Sequence, residues 1–156
     1  MAGYSNSVDR EKIFGQIKNI LKKNSDIIFA YIHGSFLDNF PFNDIDVALY
    51  TDEKKVDTAH SFDYCFQLSS DLTKKIGKEI DVQLLNEASV GFMHSVFKNG
   101  RLLFSRNDKL RLDLLEKNSL EYIDFYELSL QFIHESVFWW SISKKSNSEL
   151  QKSMKA

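Results

Sequence analysis

The sequence predicts an α/β (α+β) fold: a small mixed sheet with flanking helices and a C-terminal helical segment. Three observations carry this prediction. Short apolar runs alternate with helix-period stretches, a β-helix-β unit is spelled out between Asp44 and Leu85, and a helical period persists from about Asp108 to Ile142. With 156 residues and 43% hydrophobic composition, the chain has material for one domain with a real core. That domain is expected over residues 1–142, followed by a frayed polar tail over 143–156, rich in Lys and Ser.

The elements follow in order. Ser7 is a candidate cap for a helix in which Ile13, Phe14, Ile17, Ile20 and Leu21 recur at helical spacing, ending near Lys22, Lys23 and Asn24. Ile27 to Ile32 is short, apolar and partly β-branched, and reads as a strand buried on both faces, with Gly34 closing it. A loop from Phe36 to Asn43 contains the only proline, Pro41. Asp44 to Tyr50 alternates, with Asp44, Asp46 and Ala48 on one face and Ile45, Val47 and Leu49 on the other. This strand is expected to bury one face and to present carboxylates on the other.

Ala59, Phe62, Phe66, Leu72 and Ile76 trace the stripe of a second helix, with small Ser69 at one step and Gly77 as its terminator. Ile80, Val82 and Leu84 then alternate with Asp81 and Gln83 as a third strand. A shorter helix is predicted over Ala88 to Lys98, a turn at Asn99-Gly100, and a short strand at Leu102-Leu103-Phe104. The sheet is expected to carry its acids on one face and its helices on the other. One long helix or two shorter ones close the chain.

Composition narrows the function classes. A net charge of −2 provides no global basic field, which argues against stable, sequence-independent nucleic-acid binding. The single cysteine, Cys65, excludes an intrachain disulfide framework and a cysteine-based zinc cluster, and fits a reducing compartment, with the cytoplasm expected. Met1 to Arg10 lack the apolar core of a signal peptide, and no stretch approaches the ~20 apolar residues of a membrane span.

The chemistry is concentrated between His33 and Leu49. Gly34, without a side chain, allows a phosphate close to the backbone, and Ser35 adds a hydroxyl and, where a helical turn starts, unpaired N–H groups. Asp44 and Asp46 project side by side from one strand, and two carboxylates that close repel unless a proton or cation sits between them. Mg²⁺ suits such a pair, because it takes one or two carboxylates together with substrate phosphates and water. Asp81, on the next strand, is the candidate third carboxylate of a two-metal site and a candidate acceptor for the nucleophile's proton, with Glu79 on the same face as its rival.

Gly34-Ser35, a short spacer, Asp44-x-Asp46 and a lone Asp81 on a later strand resemble the minimal nucleotidyltransferase (MNT) group of the DNA polymerase β-like superfamily. Within it, the chain most resembles small stand-alone antitoxins encoded beside HEPN-domain ribonuclease toxins. Val82 to Asn86 followed by Phe97 to Phe104 is similar to that subgroup's run after the third strand, so roughly residues 10 to 140 can be placed. The resemblance implies a polymerase β-like sheet, Gly34 and Ser35 on the triphosphate, and two Mg²⁺ ions held by Asp44, Asp46 and Asp81. It also implies transfer of AMP from ATP to a tyrosine hydroxyl of the partner HEPN toxin, which silences the toxin. The chain departs from the commoner superfamily pattern in its compact Phe36 to Phe42 spacer with Pro41, and in Asn43 where a Ser usually precedes the first Asp.

Two other functions compete with this one. One is nucleotidyl transfer to a small hydroxylated molecule such as an aminoglycoside; the other is a non-catalytic antitoxin that masks its partner by binding. Helical periodicity accounts for most of the C-terminal aromatic residues as core. Trp139 and Trp140, however, cannot face the same way on a helix, so a partner or self-association surface is expected there. His33 is read as structural.

Overall fold

The computed structural model describes residues 7–38 and 41–155. Asn39 and Phe40 of the expected loop, the start of the chain from Met1 to Asn6, and Ala156 lie outside the described residues. The chain divides into two compact units, Met1–Asn118 and Ser119–Ala156.

The first unit is built around β1 (Ile27–His33), which is apolar along its length and almost entirely buried. It pairs antiparallel with β2 (Asp44–Thr51) on one side and with β4 (Arg101–Ser105) on the other. β2 in turn pairs in parallel with β3 (Glu79–Leu84), giving a mixed sheet of order β3-β2-β1-β4. A parallel pair needs a crossover connection. α2 (Ser61–Ile76) supplies it and ends at Gly77, whose φ of 75° is the left-handed conformation that favours glycine.

One face of the sheet is covered by α1 (Ser7–Leu21) and α2. Phe14, Ile17, Leu21 and Leu72 meet Ile45, Val47, Leu49, Ile80 and Val82 in the larger core. The expectation of helices on that face alone is corrected, because α3 (Val90–Asn99) lies over the opposite face. There Phe29, Tyr31 and Ala48 pack with Val96, Phe92 and Phe97, and Ala48 is fully buried although it shares a face with Asp44 and Asp46. The aromatic rings that β1 projects to this side need cover, while Asp44, Glu79 and Asp81, at the starts of β2 and β3, stay exposed. Tyr31 also accepts a hydrogen bond from Arg111 at 3.1 Å, and buried Asn118 donates to the Val90 carbonyl at 3.0 Å. Both donors stand on the first turns of α4 (Asp108–Met154).

Two expectations change with the packing. The stripe predicted for α2 mixes two faces: Cys65, Leu68, Leu72 and Ile76 meet the core, whereas Phe62 and Phe66 are 79% and 66% exposed. In addition, α4 continues to Met154, where a frayed tail was expected from Ser143. Within the second unit its apolar residues are largely exposed, Trp139 at 68% and Trp140 at 61%, so periodicity here marks a helix and not a core. No described helix is long and apolar enough to cross a membrane.

β3 is an edge strand, and such an edge invites pairing with other chains unless it is covered. The Ile80 N–H donates to Thr73 Oγ1 at 3.0 Å and the Val82 N–H to Ser69 Oγ at 2.9 Å, so two hydroxyls from α2 occupy the edge. This explains the small polar residue at the step of α2 where an apolar one was missing. Replacing Ser69 by Ala leaves the Val82 N–H without its acceptor, and urea unfolding is expected to show a loss of about 1–3 kcal/mol.

Candidate functional site

The site is assembled at the end of β1 and the starts of β2 and β3. Register brings the acids together: Asp44 stands opposite Glu79, and Asp46 opposite Asp81, across the parallel pair. Directly paired residues share a face of a sheet, so all four carboxylates line one ridge. Asp44, Asp46 and Asp81, which the sequence singled out, are therefore neighbours. Glu79, the rival to Asp81, lies in the same ridge beside Asp44. Asp81 is exposed and accepts a hydrogen bond from Gln83 Nε2 at 2.9 Å, which fixes its side chain along the strand.

Asp46 is the half-buried member. Burial pushes its carboxyl above the usual carboxylate range; His33 opposes that rise, and the negative Asp44 and Asp81 add to it. His33, read as structural from sequence, lies opposite Asp46 across the β1–β2 pair. Burial pushes its imidazole below its ordinary value, against the pull of Asp46 and Asp81. Its ring meets Phe92 edge-on at 5.4 Å, and its buried Nε2 has no hydrogen-bond partner among the described residues. In sequence His33 only borders the Gly34-Ser35 turn; the antiparallel register is what places it beside Asp46.

Gly34 follows directly, with φ of 77°, and a 3₁₀ turn runs from Gly34 to Leu37. The helical turn considered for Ser35 is thus present, and Ser35 is exposed on it. A Cβ added at Gly34 would collide with the Oδ2 of Asp46. The glycine is therefore needed twice, for its backbone conformation and for the space the carboxylate occupies. The compact spacer that departs from the commoner pattern is pinned at both ends. Phe36 and Phe42 meet edge-on with centroids 4.8 Å apart, and the Arg10 guanidinium lies 5.3 Å from the Phe42 ring while donating to the Phe36 carbonyl at 3.0 Å.

Among the described residues, no group of three or more His, Cys, Asp or Glu side chains converges closely enough to hold a metal ion by itself. The donor set still fits Mg²⁺. It is made of hard carboxylate oxygens, with one carboxylate destabilised as an anion by burial and then by its acidic neighbours, and Mg²⁺ ordinarily completes its shell with substrate phosphates and water instead of an all-protein cage.

Comparisons with known proteins agree with this architecture. The chain matches the family described as polymerase beta, nucleotidyltransferase, over residues 15–109. No curated protein sequence matches it. Among solved structures, it is similar to a chain of the tri-AMPylated Shewanella oneidensis HEPN toxin in complex with MNT antitoxin, with a TM-score of 0.64, 17% identity, and coverage of 82% of this chain and 98% of that one. It is also similar to a chain of the toxin–antitoxin MntA–HepT, with a TM-score of 0.63, 17% identity, and coverage of 81% and 98%. A toxin–antitoxin structure with AMP-PNP gives a TM-score of 0.62 at 19% identity, covering 80% and 98%. At such identities the likeness establishes the fold.

Two outcomes test the electrostatic reading. Asp46→Asn keeps the side chain's shape and removes a charge that burial and two acidic neighbours disfavour, so it should raise the melting temperature of the metal-free protein. A lowered melting temperature would mean that the site holds the negative charge favourably. Gly34→Ala forces a left-handed backbone on a residue with a Cβ and should cost on the order of 1–2 kcal/mol in chemical denaturation, before counting the collision with Asp46.

Proposed function

Since the chain belongs to the polymerase beta nucleotidyltransferase family, we propose that it transfers AMP from ATP to a tyrosine hydroxyl of a partner HEPN-domain ribonuclease toxin, as the antitoxin of the pair. The observation that carries this reading is the carboxylate ridge beside the Gly34-Ser35 turn: Asp46 faces Asp81 in register and takes the space that the missing Cβ of Gly34 leaves free. The tri-AMPylated toxin and the AMP-PNP complex among the similar structures support AMP as the transferred group and a HEPN protein as its acceptor.

In this reading Gly34 and Ser35 receive the triphosphate, and Asp44, Asp46 and Asp81 hold two Mg²⁺ ions. The metal supplies charge neutralisation at the phosphates and acidification of the attacking hydroxyl. The tyrosine oxygen forms a bond to the α-phosphorus, the bond from that phosphorus to the bridging oxygen breaks, and pyrophosphate leaves. The phenolic proton passes to the carboxylate of Asp81, whose hydrogen bond from Gln83 orients it. A need for ATP, together with a free cysteine at Cys65, supports the cytoplasm as the compartment of the reaction.

The exposed apolar side chains of the second unit, including Phe132, Ile133, Val137, Trp139 and Trp140, supply a surface for a protein partner. The same surface favours a second reading, in which the chain neutralises its partner by covering it. Intact-mass measurement separates the two. The HEPN protein incubated with this chain, Mg²⁺ and ATP should gain one or more AMP units, and Asp44→Ala/Asp46→Ala should slow that gain on the order of a thousandfold, equivalent to several kcal/mol of lost transition-state stabilisation. Neutralisation by the double variant with no adduct on either protein would favour covering.

A further inference from the structure

α2 carries two aromatic side chains that the fold does not use. Phe62 and Phe66, four residues apart, lie one above the other on the helix and are 79% and 66% exposed, while the core is made by the opposite face through Leu68, Leu72 and Ile76. Phe66 lines a groove of ≈ 730 Å³ whose other wall is Asp44, Glu79 and Asp81. Ser69 and Thr73 also line it, but their hydroxyls already accept from the β3 backbone. Ser70 and Lys74 remain as its available polar groups.

The sheet order gives this groove a direction. Gly34 and Ser35 follow β1, which lies on one side of β2, whereas the groove opens along β3 on the other side. In an in-line displacement the entering and leaving oxygens stand on opposite sides of the phosphorus. With the triphosphate on the β1 side, pyrophosphate departs there and the acceptor oxygen enters from the β3 side. An aromatic wall at that entrance suits a flat aromatic acceptor, because rings stack offset or edge-on with a gain beyond simple burial.

We infer that the groove between α2 and β3 is the acceptor entrance, and that Phe66, continued by Phe62, positions the tyrosyl ring of a partner protein against Asp81. This rests on the reaction proposed above and names the residues that select its acceptor. Phe66 is exposed, so its replacement leaves the core untouched.

The test uses the full chain, a partner HEPN protein and Mg²⁺-ATP, with initial rates followed by intact mass. Phe66→Ala should reduce kcat/KM for the protein acceptor about tenfold or more, as for a truncated interface hot spot. Phe66→Tyr should stay within about threefold of wild type, and Phe62→Ala/Phe66→Ala should fall further than Phe66→Ala, as hot-spot residues sharing one surface do. The dissociation constant for Mg²⁺-AMP-PNP should remain unchanged in all three. Wild-type kinetics in Phe66→Ala would overturn the acceptor entrance and leave the reaction standing. Weakened AMP-PNP binding in that variant would overturn it too, by placing the ring on the nucleotide. A wild-type chain that binds its partner and transfers nothing would overturn the reaction and this inference with it.

Discussion

The structure depends on holding like charges together at the head of two strands. Asp44 and Asp46 on β2 meet Glu79 and Asp81 on β3 through a parallel register, and nothing in their mutual electrostatics favours that arrangement. The upward pressure on the Asp46 carboxyl, from burial and from two acidic neighbours, expresses the cost. Such a ridge persists only because the apolar parts of the same strands bind them firmly. Ile45, Val47 and Leu49 on β2, with Ile80 and Val82 on β3, are buried beneath α1 and α2. Ile45, Val47, Ile80 and Val82 each stand one position from an acid, so the alternation that exposes the carboxylates also anchors them.

The remaining features of the first unit serve this ridge. β1 lies at its inner flank and is covered on both faces, so the turn at Gly34 leaves from a rigid support. Arg10 and the Phe36–Phe42 pair then tie down the spacer that returns the chain to Asp44. At the outer flank, Ser69 and Thr73 close the β3 edge with hydrogen bonds that a partner strand would otherwise compete for. That closure leaves the acids approachable along the groove by α2 and separates entry for an acceptor from any edge-to-edge pairing.

The second unit follows different physics. From Ser119 on, α4 keeps a helical period, yet its large apolar side chains stay in water. Burial of such side chains stabilises association strongly, which is why this segment is read as a surface for a protein partner and not as part of a core.

The local sequence determined most of the elements and the heart of the candidate site. Alternation located β2 and β3, Gly77 ended α2, and Gly34-Ser35 with Asp44, Asp46 and Asp81 could be read because a strand puts every second residue on one face and a glycine leaves room for a close approach to the backbone. Only the tertiary structure decided the rest. Glu79 and His33 join the site through strand register, which links residues 13 and 35 positions apart from their partners Asp46 and Asp44. Phe62 and Phe66 fit the same helical stripe as Leu72 and Ile76 within the tolerance of a 3.6-residue period, and the docking of α2 on the sheet chose which went inside. Periodicity states which residues share a face. What that face meets is set by contacts distant in sequence, and those leave no local trace.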